Sequence, residues 1–106
     1  MRNLTMMTDL YQLTMMYGYY KCGMRDKRAA FDMFYRSKDE STHCAVMAGV
    51  EQLIDYLKNL SFSEEDISYL RSKGIFSEEF LDYLRHFRFC CDVWAVPEGT
   101  PIFPHE

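Results

Sequence analysis

A chain of 106 residues holds one domain or a piece of one, and at this size it can bury roughly two-thirds of its unfolded surface. Its 48% apolar residues and net charge of −4 fit a soluble globular chain; they argue against disorder and against a nucleic-acid footprint built on positive charge. No apolar run reaches the roughly 20 residues of a membrane span, and MRNLTMMTDLYQ lacks an uninterrupted signal-peptide core, so the expectation is no membrane and a cytoplasmic location.

The first predicted element is a helix over about Asp9–Cys22. Asp9 followed three residues later by Gln12 is a capping box, and Gly23 stands where a C′ glycine belongs. Leu10, Leu13, Tyr17 and Tyr20 form one stripe; Tyr11, Thr14, Met15 and Gly18 form a neighbouring one. Apolar character on both implies contacts on more than one face. Gly18 costs a helix about 1 kcal/mol relative to alanine, so close approach of another backbone is expected there. Two readings stay open: a core helix with decorated ends, or a helix that lends a tyrosine to another surface.

After the basic turn MRDKR, residues 29–36 (AAFDMFYR) read as a strand, with Phe31, Met33 and Tyr35 on one side and Asp32, Phe34 and Arg36 on the other. SKDEST (37–42) is a loop and CAVMA (44–48) a short buried strand. Gly49 opens an amphipathic helix with Val50, Leu53, Ile54 and Leu57 spaced i, i+3, i+4, i+7. Ser63-Glu-Glu-Asp66 caps the next helix, which stops near Gly74. Ser77 caps another, carrying Phe80, Leu81, Leu84 and Phe87. Acidic residues fill both first turns and basic ones the ends, as the helix dipole favours. FCCDVWAV (89–96) reads as a strand, PEGT as a turn, and Ile102–Phe103 as the opening of a return strand. The expected order is α-β-β-α-α-α-β, an α+β segment of an incomplete chain.

Chemistry-bearing motifs are sparse. There is no phosphate-cradling glycine loop, H-E-x-x-H or G-x-S-x-G. Cys22, Cys44, Cys90 and Cys91 show no C-x-x-C pairing and are expected as buried free thiols, with no metal. His43, His86 and His105 are far apart, and Glu64, Glu65, Asp66, Glu78 and Glu79 read as capping charges, so no catalytic residue is expected in this segment. Two residues stand out. Tyr11 holds its ring near a helix N-terminus, whose free N–H groups favour anions. Arg36 ends an aromatic segment, where its guanidinium can reach a phosphate or carboxylate with a two-pronged bond.

The strings TDLYQLTMMYGYY, FDMFYR, AGVEQLIDYL and FRFCCDVWAVPEGTPIFP, in order over essentially all of the chain, resemble the N-terminal portion of nicotinate phosphoribosyltransferase. TDLYQLTM carries most of that specificity. SKDESTH departs from the proline- and glycine-rich turn the family has after its arginine. The resemblance implies the N-terminal segment of a two-domain enzyme whose barrel-like catalytic domain lies beyond these residues. It implies synthesis of nicotinate mononucleotide and pyrophosphate from nicotinate and phosphoribosyl pyrophosphate, coupled to ATP hydrolysis, with magnesium accompanying both phosphate substrates and no cofactor bound by this segment alone. It also implies a head-to-tail homodimer in which Tyr11 meets the nicotinate ring across the interface, and Arg36 facing phosphate. The phosphorylated histidine of the family lies outside this chain, so His43, His86 and His105 are not its counterparts. A stand-alone interaction module, or a relative using nicotinamide or quinolinate, is the alternative.

Overall fold

The computed structural model describes residues 2–37 and 43–106; the loop expected over 37–42 lies almost wholly outside them. The element order is α1 (Leu10–Lys21), β1 (Ala45–Val46), α2 (Val50–Asn59), α3 (Glu64–Ser72), α4 (Glu78–Arg85) and β2 (Pro101–Ile102). The chain divides into two compact units, one of residues 1–28 and 56–90, the other of 29–55 and 91–106. Helix α2 begins in the second unit and ends in the first.

The first unit holds the core. Leu13, Phe62, Ile67, Leu70, Phe80, Leu81 and Leu84 are buried together. Their spacing on α3 and α4 follows the helical repeat, so each helix turns one apolar stripe inward. Helix α1 lays Tyr17 and Tyr20 against α4: Tyr17 lies 5.0 Å and Tyr20 5.5 Å from the Phe80 ring centroid, and Tyr20 5.1 Å from that of Tyr83. These tilted ring pairs are the geometry that aromatic quadrupoles favour.

Helix ends follow local rules. Gln12 Oε1 accepts the Asp9 N–H at 3.0 Å. Past the end of α1, the Gly23 N–H reaches Tyr20 O and the Met24 N–H reaches Tyr19 O, with Gly23 at φ 67°. This is a Schellman motif, which needs the left-handed conformation that glycine adopts without strain. Ser63 caps α3, exchanging bonds with Asp66, and Ser77 caps α4 through the Phe80 N–H. Two-pronged ion pairs tie the last two helices: Arg85 to Glu64 at 2.6 and 3.2 Å, and Arg71 to Glu78 at 2.7 and 3.0 Å.

The second unit is built on a small antiparallel pairing, Ala45 opposite Ile102 and Val46 opposite Pro101. Met47 N–H to Thr100 O (2.9 Å) and Gly99 N–H to Met47 O (2.8 Å) continue it into the PEGT turn. Pro101 offers no N–H, which a short edge strand tolerates.

Three expectations are corrected. Residues 29–36 and 89–96 are not strands: no ladder forms on them among the described residues, the bond from the His105 N–H to Tyr35 O standing alone, and a strand exists only through its ladder. Phe31 is accordingly 90% and Trp94 94% exposed. The 44–48 strand shortens to two residues and is not buried, since nothing in its unit covers Val46. The four cysteines are exposed rather than buried: Cys22 is the α1 C-cap, and the other three lie in or beside the segments that lack a covering layer. Outside its own helix backbone and chain neighbours, no described atom comes within 4 Å of a Cβ built on Gly18, so this chain does not itself supply the close backbone approach expected there. The return strand expected to open at Ile102–Phe103 forms one residue earlier, as β2, with β1 as its partner.

Candidate functional site

Helix α1 has one face on the core and one on solvent. Leu13, Met16, Tyr17 and Tyr20 pack inward. Tyr11, Thr14, Met15 and Gly18 recur at i, i+3, i+4 and i+7 and share the opposite face. Tyr11 is 60% and Met15 50% exposed, and Leu10 and Tyr19 flank them in the open. The expectation of contact on more than one face is met here on one face; the second is an uncovered apolar stripe with a glycine in it.

The first turn holds the tyrosine on a defined backbone. Thr14 Oγ1 donates to Tyr11 O at 2.9 Å. Gln12 Oε1 accepts from both the Thr8 hydroxyl and the Asp9 N–H. Thr5, N-terminal to this turn, is 4% exposed and is the buried polar residue among those described. Its hydroxyl accepts the Ser61 N–H at 3.1 Å, its own N–H donates to Asn3 Oδ1 at 3.0 Å, and Asn3 Nδ2 donates to Ser61 O at 3.0 Å.

Arg36 belongs to the second unit and Tyr11 to the first. The Arg36 guanidinium lies 5.1 Å from the Phe34 ring centroid, within cation–π range, and its side chain is exposed. One residue before it, Tyr35 O accepts the His105 N–H at 2.9 Å, and the His105 ring stands 5.6 Å from Phe34. The arginine is thus presented from an irregular segment tied to the chain beyond β2, rather than from a strand end.

The histidines form no cluster. His86 caps the end of α4, its Nδ1 2.9 Å from Asp82 O; His105 is fastened to Tyr35; His43 is exposed. Glu64 and Glu78 serve the arginine pairs, and Arg85 and Arg71 respectively hold their carboxyls below the ordinary value by hydrogen bonding. Among the described residues no three His, Cys, Asp or Glu side chains stand where they could hold one metal ion. Among the described residues no helix is long and apolar enough to cross a membrane.

Sequence reasoning missed Thr5 and Glu98. Both act through bonds spanning about half the chain, and a lone threonine or a turn glutamate carries no local signal of such a partner.

The profile described as the nicotinate phosphoribosyltransferase N-terminal domain matches residues 6–106. The chain is 42% identical over 99 residues to nicotinate phosphoribosyltransferase pncB2 of Mycobacterium tuberculosis, covering 93% of this chain and 21% of that protein. It is 38% identical over 102 residues to nicotinate phosphoribosyltransferase 2 of Arabidopsis thaliana, covering 93% and 18%. It is 36% identical over 104 residues to the nicotinate phosphoribosyltransferase of Bacillus subtilis, covering 98% and 21%. The chain therefore spans about a fifth of the length of these relatives.

Proposed function

The chain belongs to the nicotinate phosphoribosyltransferase family, and from that premise we propose that it is the N-terminal α+β part of an enzyme making nicotinate mononucleotide for NAD biosynthesis. In this reading a barrel-like catalytic domain follows it, the enzyme works in the cytoplasm as a head-to-tail homodimer, and ATP hydrolysis is coupled to the transfer. The observation that carries the assignment to this chain is the outer face of α1, where an exposed tyrosine leads an apolar stripe that nothing in its own unit covers.

The reaction joins two substrates. The pyridine nitrogen of nicotinate attacks the anomeric carbon of phosphoribosyl pyrophosphate, the bond to pyrophosphate breaks, and positive charge develops on the ribose in between. Magnesium comes with the pyrophosphate and ATP as part of those substrates. Protein groups then have two tasks: aligning the ring nitrogen with the carbon, and meeting the charge of the departing phosphates.

Tyr11 serves the first task. Set on the first turn of a rigid helix, its ring offers a flat wall to the pyridine of the partner subunit's site, and stacking of this kind contributes about 0.5–1.5 kcal/mol beyond area burial. The rest of the stripe would be covered by the second copy, with Thr14 and Gly18 small enough for its backbone to come close. Arg36 serves the second, as an exposed two-pronged donor for phosphate oxygens. Neither residue makes or breaks a bond.

The test is an assay of the full-length protein containing this chain, with nicotinate, phosphoribosyl pyrophosphate and ATP. Formation of nicotinate mononucleotide, in preference to product from nicotinamide or quinolinate, is expected. A full-length protein inert toward all three pyridines would leave the interaction-module reading instead.

A further inference from the structure

We infer that Thr5 is a positioning residue for Tyr11: with Asn3 it clasps the segment entering α1 to Ser61, and so sets where the Tyr11 ring is held. The inference rests on the reading of Tyr11 as a ring wall for the pyridine.

Helix α1 is fixed unevenly along its length. Its C-terminal half is locked by Tyr17 and Tyr20 against Phe76, Phe80 and Tyr83. Toward the N-terminus the one core anchor is Leu13; Leu10 and Tyr11 ahead of it both face solvent. What restrains that end is the segment before it. There Met6 packs on the core, and the three bonds among Asn3, Thr5 and Ser61 stitch the entering chain to the α2–α3 linker. The linker is itself anchored, since Phe62 is a core residue.

The clasp is built as a small strand pairing made from side chains. Ser61 offers its N–H to the Thr5 hydroxyl and its C=O to the Asn3 amide, while Asn3 Oδ1 takes the Thr5 N–H. Each bond depends on the others being in register, so removal of the Thr5 hydroxyl leaves the Ser61 N–H without its partner.

Leverage makes the clasp matter to the ring. Tyr11 lies about 3 Å along the helix axis beyond Leu13, the nearest core contact, at 1.5 Å per residue. A tilt of about 20° about the Leu13 contact moves the Tyr11 backbone by about 1 Å, a displacement that can cost a reacting pair about a hundredfold. Loss of the clasp should thus appear in catalysis well before it unfolds the unit.

The experiment is a double-mutant cycle in the full-length protein, reading kcat and KM for nicotinate together with Tm, for Thr5→Val, Thr5→Ser, Tyr11→Ala and Thr5→Val/Tyr11→Ala. Thr5→Val is expected to lower kcat/KM by about tenfold, and Thr5→Ser, which keeps the hydroxyl, to restore it. In the Tyr11→Ala background Thr5→Val should change kcat/KM less than about twofold while lowering Tm as much as it does alone. An equal loss of kcat/KM with and without the Tyr11 ring, or no loss at all, overturns the positioning role and leaves the Tyr11 reading standing. A Tyr11→Ala protein as active as wild type overturns both. If Thr5→Val does not fold, Asn3→Ala, which removes two of the three bonds from an exposed residue, is run through the same cycle against the same outcomes.

Discussion

Glu98 accepts the Gly49 N–H at 2.7 Å with one carboxylate oxygen, and with the other takes the neighbouring Val50 N–H at 2.8 Å. These are N-terminal donors of α2, which an isolated helix leaves without partners. Gly49, at φ 99°, has no side chain with which to cap its own helix, so a carboxylate from the PEGT turn does so and also opposes the dipole. Removing both acceptors in Glu98→Ala should cost about 1–2 kcal/mol, and Glu98→Gln less, because one acceptor remains. Hydrogen exchange at the Gly49 and Val50 amides reads this directly. Unchanged protection in Glu98→Ala would contradict the cap.

The arginine pairs predict a specific pH dependence. Hydrogen bonding from Arg85 and Arg71 lowers the folded-state pKa of Glu64 and Glu78. A carboxyl whose folded pKa is depressed contributes stability above its unfolded pKa and loses it as pH falls through the folded one. Glu64→Gln and Glu78→Gln should therefore lower Tm slightly at neutral pH, and the difference from wild type should shrink as pH drops through and below the ordinary carboxylate range. Both pairs are exposed, so added salt should shrink it too. A Tm difference that stays constant into acid would sink the assignment.

Arg36 is expected to discriminate between the substrates. Hydrogen bonds to charged groups contribute about 1.5–3 kcal/mol, so Arg36→Ala in the full-length protein should raise KM for phosphoribosyl pyrophosphate about tenfold or more with little change for nicotinate. Lysine keeps the charge but loses the fork and should recover only part. If both KM values stay at wild type, the guanidinium serves only its contact with Phe34.

The 106-residue chain alone should form no mononucleotide from nicotinate, phosphoribosyl pyrophosphate and ATP. It contains no glycine loop to cradle phosphate, and the α1 face bearing Tyr11 is uncovered. Detectable turnover by the isolated chain would place catalytic groups within it and contradict the site as described.

How far the sequence was legible tracks the range of the interactions involved. Helices capped by Asp9 with Gln12, by Ser63 with Asp66 and by Ser77 stand where their caps place them, because a cap is decided within four residues. Residues 29–36 can be read as two strand faces and 89–96 as an apolar run, yet a strand needs a partner, and neither pattern can say whether one is present. The same lack of a covering layer leaves Cys90, Cys91 and Trp94 in the open. At the site, the second stripe of α1 was readable as a surface of its own because Tyr11, Thr14 and Gly18 suit contact with a neighbour. The Thr5–Ser61 and Glu98–Gly49 bonds were not readable, since each joins residues about fifty apart and leaves no periodic trace.

The central claim is that α1 lends Tyr11 to a second copy's site, and subunit mixing tests it most directly. Full-length chains carrying Tyr11→Ala are mixed with chains inactivated at the family's core histidine, under conditions in which dimers exchange, and mononucleotide formation is followed. If the ring acts across the interface, each mixed dimer holds one site with both defects and one with neither, and activity returns. If activity stays at the level of the separate mutants while exchange is demonstrated, Tyr11 serves its own chain and the account is contradicted.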